Sequence, residues 1–104
     1  MESLIDEMGG RSGAGEILEL YLGQLEGRRA AVLGAPDATA LGRAAHALGS
    51  PSSLVGAAGL ALRCREIELL VRNGRSATPE ALEELDAECT RVRDALESLL
   101  HGLE

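Results

Sequence analysis

The sequence predicts an all-α fold, an antiparallel up-down four-helix bundle with a short N-terminal helix at one end. Three observations predict it. Apolar residues recur at three-and-four spacing along almost the whole chain, and the period-two alternation of a half-buried strand is missing. Aromatic residues are 1% of the composition, Tyr21 alone, and the β-branched residues that fill sheets are few. Gly and Pro cut the chain into segments of helix length with short connections. At 104 residues and 45% hydrophobic, the chain holds material for one modest core, so residues 1–104 are expected to form one domain.

The elements follow in order. Met1 to Met8 reads as a short amphipathic helix with Leu4, Ile5 and Met8 apolar, and Gly9-Gly10 with the polar run to Gly13 breaks it. Ala14 to about Leu33 carries the stripe Ile17, Leu18, Tyr21, Leu22 and Leu25 of a long helix. Gly34 and Pro36 stop it, and Asp37 is the expected N-cap of the next helix, with Leu41, Ala44, Ala45 and Leu48 on its inner side. A further helix from about Ala57 to Arg72 places Leu60, Cys64, Ile67 and Val71 on one face and ends at Asn73-Gly74. Thr78 caps the last helix and Pro79 takes its first position. Leu82, Leu85, Cys89, Val92, Leu96, Leu99 and Leu103 then form the narrow seam of a helix packed at a shallow angle.

Composition narrows the function. The net charge is −7, and all ten basic residues are Arg, so no Lys is present. A repelled phosphate backbone and a lone Tyr exclude a base-stacking nucleic-acid module, and chemistry through a lysine amine is excluded too. Cys64 and Cys89 stand 25 positions apart at apolar positions, which reads as two small buried thiols rather than a metal pair or disulfide framework. The longest apolar-or-Gly run, residues 55–62, is too short to span a bilayer, and no signal peptide is recognised. A soluble, cytoplasmic chain with no nucleic-acid or membrane partner is expected. Gly9-Gly10 and Gly13-Ala14-Gly15 lack the preceding strand and following Lys of a nucleotide loop and read as a flexible link. His101 reads as a surface residue near a helix C-terminus, and the acidic residues of the last helix read as a solvated face.

One face looks chemical. On a helical wheel His46 points away from Leu41, Ala44, Leu48, Ser52 and Val55, and so toward solvent. Its neighbours on that side, Thr39, Gly42, Gly49, Ser50 and Ser53, are all small, and Arg43 stands at the flank about 60° away. Glycine inside a helix costs about 1 kcal/mol against Ala. Two glycines flanking an exposed histidine therefore suggest access, with small residues letting another protein approach the imidazole. The plain alternative is an ordinary surface histidine in a chain with 13 glycines.

The stretch Ala45-His46-Ala47-Leu48-Gly49-Ser50-Pro51-Ser52-Ser53-Leu54-Val55-Gly56-Ala57, with Leu62-Arg63-Cys64-Arg65-Glu66-Ile67-Glu68 after it, resembles the signature of histidine-containing phosphotransfer (HPt) domains. Those are four-helix bundles that shuttle a phosphoryl group in two-component signalling. His46, Leu48, Ser50, Ser52, Gly56 and Ala57 match the pattern. The resemblance implies that His46 accepts a phosphoryl group from the aspartyl phosphate of a response-regulator receiver domain and passes it on. It implies a bacterial phosphorelay carrier rather than a self-sufficient enzyme. Receiver domains or a hybrid histidine kinase are the implied partners. No metal or cofactor is expected on this chain, the Mg²⁺ belonging to the receiver. Gly42, Arg43, Gly49, Ser50 and Ser53 are the expected binding residues around His46, and the protein is expected to be a monomer.

Two positions depart from the pattern. Gly49 stands where relatives usually carry a Lys whose charge favours phosphoryl oxygens, and Arg43 is the candidate replacement. Pro51 stands where a small residue is usual, and it removes a helix hydrogen bond. Without the resemblance, residues 49–53 look like a loop; with it, a kinked but continuous helix to about Leu54 is expected. These departures leave open a bundle that docks a receiver or kinase without phosphotransfer. The seam of the last helix leaves open a dimerising bundle, which would bury His46 in an interface.

Overall fold

The computed structural model describes residues 11–103. Among them are four helices and no strand: α1 (Arg11–Leu33), α2 (Ala38–Leu54), α3 (Ala58–Arg72) and α4 (Pro79–Leu103). The short helix expected over Met1 to Met8 lies outside the described residues. Each helix packs against its neighbours in sequence, and α1 packs against α4, closing the ring; α2 and α3 form the most intimate pair. With connections of three to six residues between them, this is the up-down bundle predicted from sequence.

The core is built from the predicted stripes. Leu18, Tyr21 and Leu25 of α1, Leu48 of α2, Leu60, Cys64 and Ile67 of α3, and Leu85, Cys89, Val92 and Leu96 of α4 are all buried. Val32 and Ala45 join them. Each leucine so buried contributes about 1.5–3 kcal/mol relative to exposure.

The chain differs from expectation at the start of α1. Residues 11–13, read as part of a break, are already helical. Gly15 faces Leu100 of α4, so the ends of the two longest helices pair, and packing overrides the low propensity of glycine. The acidic face of α4 is mostly exposed, as expected, but several of its carboxylates are also engaged in pairs. Arg29 of α1 donates from Nε to Asp86 Oδ1 at 2.6 Å, and from Nη2 to the Asp86 carbonyl at 3.0 Å and Thr90 Oγ1 at 2.7 Å. Glu84 pairs with Arg63, and Glu88 with Arg91.

The helix ends that frame the site are specified locally. Asp37 accepts from the Ala40 N–H at 2.8 Å, the predicted N-cap, and Thr78 Oγ1 accepts from Ala81 N–H at 3.1 Å. Helix α2 runs through Pro51 without a break. The proline sits in the last turn, and the ladder resumes at once, Val55 N–H donating to the Pro51 carbonyl at 3.1 Å. Gly56 then adopts φ 81°, while Ala57 N–H donates to Ser52 O at 2.8 Å and Gly56 N–H to Ser53 O at 3.1 Å. That is a Schellman stop, which needs the left-handed residue that glycine supplies. The same motif closes α3 at Gly74, φ 72°, where the sequence predicted a stop.

Candidate functional site

His46 lies on the third turn of α2, with its side chain 73% exposed, as the wheel predicts. It faces an open groove between α2 and α3, lined from α2 by His46, Gly49, Ser50 and Ser53 and from α3 by Ala61, Leu62, Arg65, Glu68, Leu69 and Arg72, with Ala58 at its end.

His46 Nδ1 lies 2.7 Å from Oε1 of Glu68 on α3. An ionised carboxylate only accepts hydrogen bonds. Nδ1 therefore carries the proton, and in the neutral ring Nε2 presents its lone pair outward. Glu68 itself is three-quarters buried at its side chain, so the pair is partly sheltered from water on one side. The ring is thus oriented and held in one tautomer, with no hydrogen bond at Nε2 among the described residues.

The two glycines beside His46 do something other than leave an open face. A Cβ added at Gly49 would lie 2.9 Å from Cβ of Cys64, and one at Gly42 would lie 3.3 Å from Cγ1 of Val71. Both contacts are on α3. The glycines let α2 and α3 approach closely, and this approach brings Glu68 within reach of His46. A single-helix wheel cannot reveal this, because it does not show where the partner helix lies. Gly49 still lines the groove; Gly42 does not, and Arg43 is exposed and outside it. The positive charge in the groove comes instead from Arg65 and Arg72.

Beneath the groove, Ser52 is fully buried. Its Oγ donates to the Leu48 carbonyl at 2.7 Å and lies 2.6 Å from the Tyr21 hydroxyl. A serine has one hydroxyl proton, so Tyr21 is the donor to Ser52. The bond ties α1 to the turn of α2 that follows His46. Burial pushes the Tyr21 hydroxyl pKa above its ordinary value. Cys64, under Gly49, is a free buried thiol that burial pushes up to about 12, which leaves it protonated and unreactive.

Glu68, Arg65 and Arg72 were not marked as site residues from the sequence, although the first two lie in the stretch that carries the resemblance. Arg65 and Arg72 are exposed and Glu68 stands at the edge of the packed face of α3, and on one helix taken alone a charged residue at such positions carries no signal beyond solubility. Glu68 lies 22 positions from His46, and only the packing of two helices joins them. Among the described residues, no three His, Cys, Asp or Glu side chains group as a metal site, and no helix is long and apolar enough to cross a membrane.

A family model described as Hpt domain matches residues 2–95 of the chain. No curated protein and no solved structure matches it.

Proposed function

The chain belongs to the Hpt domain family, the histidine phosphotransfer modules of two-component phosphorelays, and from that membership we propose that His46 is the residue that carries the phosphoryl group. The observation that carries this reading is the exposed imidazole whose Nδ1 is held by Glu68 at 2.7 Å.

In the transfer, the Nε2 lone pair of His46 attacks the phosphorus of a receiver's aspartyl phosphate. The N–P bond forms as the P–O bond breaks, and the aspartyl carboxylate leaves with the electron pair. The ring gains positive charge, which the Glu68 carboxylate offsets through the Nδ1–H bond. Reversal toward a second receiver completes the relay. The divalent cation that phosphoryl transfer uses is assigned to the receiver, and this chain supplies a positioned nucleophile. On this reading it acts as a carrier and as a monomer, with one face of α2 and α3 meeting the partner.

The test is transfer from a phosphorylated receiver with Mg²⁺ to the wild-type chain and to His46→Gln. An acid-labile label on wild type and none on His46→Gln is expected. No label on wild type leaves docking without transfer as the function, and a label that survives His46→Gln overturns the site.

A further inference from the structure

A phosphoryl group in transit spreads negative charge over three oxygens, and its transfer depends on donors that meet that charge. Helix α2 cannot supply a cation beside His46. Position 49 has no room for a side chain against Cys64, Ser50 and Ser53 are neutral, and Arg43 lies outside the groove. Helix α3 can. Arg65 directly follows Cys64, the residue that touches the Gly49 position, and precedes Glu68 by three residues on the same helix face. It therefore stands beside the level of His46.

Arg65 is also available. It is exposed and forms no ion pair among the described residues, whereas Arg29, Arg63, Arg91 and Arg93 are all paired. Arg72, about two turns further along α3, is likewise exposed, unpaired among the described residues and in the groove. Against these two cations the groove sets one acid, Glu68, which is already engaged by His46. A local excess of positive charge is thus built into a chain whose net charge is −7. The planar guanidinium offers two parallel N–H donors, the geometry that suits phosphoryl oxygens.

We propose that Arg65 is a catalytic residue of the transfer, its guanidinium gripping the phosphoryl oxygens as the group crosses to Nε2 of His46. The proposal rests on the carrier reading above. Arg65 stays protonated throughout; it lends hydrogen bonds and takes no part in the bonds that form and break.

The experiment uses the full chain and two donors, phosphoramidate and a phosphorylated receiver, so that docking and chemistry separate. Initial rates of His46 phosphorylation are compared for wild type, Arg65→Gln, Arg65→Lys and Arg75→Gln, which makes the same charge change at an exposed position off the groove. The Arg65 Nε–H resonance is followed by NMR on phosphorylation. Arg65→Gln is expected to be slowed about tenfold or more with both donors, Arg65→Lys to recover much of the rate, and Arg75→Gln to change less than about twofold. The Nε–H resonance of Arg65 is expected to move when His46 is phosphorylated. Wild type labelled as readily as Arg65→Gln overturns this proposal alone, as does a slowed Arg65→Gln with an unmoved resonance. A wild type that takes no phosphoryl group from either donor overturns the carrier reading, and this one with it.

Discussion

Glu68 of α3 holds Nδ1 of His46 of α2 at 2.7 Å, a pairing 22 positions apart in sequence. If this carboxylate fixes the tautomer, Glu68→Ala will release the ring. Long-range nitrogen–proton NMR spectra of the imidazole should then shift from the Nδ1–H form toward a mixture. The transfer rate should fall about tenfold, which corresponds to about 1.4 kcal/mol. An unchanged tautomer in Glu68→Ala would contradict the assignment.

Two helical glycines should respond to alanine with opposite signs. Gly49→Ala forces a Cβ to within 2.9 Å of Cys64 Cβ and should destabilise the bundle by about 1–3 kcal/mol. The contact is with Cβ, so Cys64→Ala should not relieve it and Cys64→Gly should relieve part. Gly23 of α1 is exposed with open space around it, and Gly23→Ala should stabilise by about 0.5–1 kcal/mol. Urea unfolding of the four variants measures both effects.

Removing the Ser52 hydroxyl leaves a buried tyrosine hydroxyl without its acceptor. Ser52→Ala should cost about 1–3 kcal/mol. Adding Tyr21→Phe should cost little more, because the orphaned group is then gone. A double-mutant cycle by thermal unfolding would show this coupling, and additive losses would count against the bond.

The thiols predict an alkaline limit. Burial raises Cys64 from 9.0 to about 12 and Cys89 from 9.0 to about 11. Above pH 9 the unfolded chain loses these protons while the folded chain keeps them, so the unfolded state binds fewer protons and stability falls as pH rises. The stability is fully present below pH 9 and is lost through the window up to about pH 11–12. The loss approaches about 1.4 kcal/mol per pH unit per thiol, and Cys64→Ala with Cys89→Ala should flatten it.

The helices were legible because each carries its own signals. Asp37, Thr78 and Asn73-Gly74 act on backbone within a few residues of themselves, and the seam of α4 names its own buried residues Leu85, Cys89, Val92 and Leu96. His46 was legible because its exposure follows from the phase of one helix. The charged half of the groove was not, since Glu68, Arg65 and Arg72 belong to another helix whose rotation and separation are set by packing. Gly42 and Gly49 carried the missing information in a form that reads two ways, as an open face or as a close approach between helices. Pro51 looked like a break because its effect on the ladder is local, while its place in the last turn of α2 makes that effect small.

The contact between Gly49 and Cys64 also bears on how this sequence can drift. Every residue other than glycine brings the atom that collides there, whatever its charge or polarity. Variation at the residue one turn beyond His46 is therefore filtered by helix spacing and not by chemistry. Any tuning of the charge that His46 meets is left to α3, whose outward positions can change without disturbing the core. A lineage carrying this glycine would explore transfer rate and partner preference on one helix while the other stays fixed.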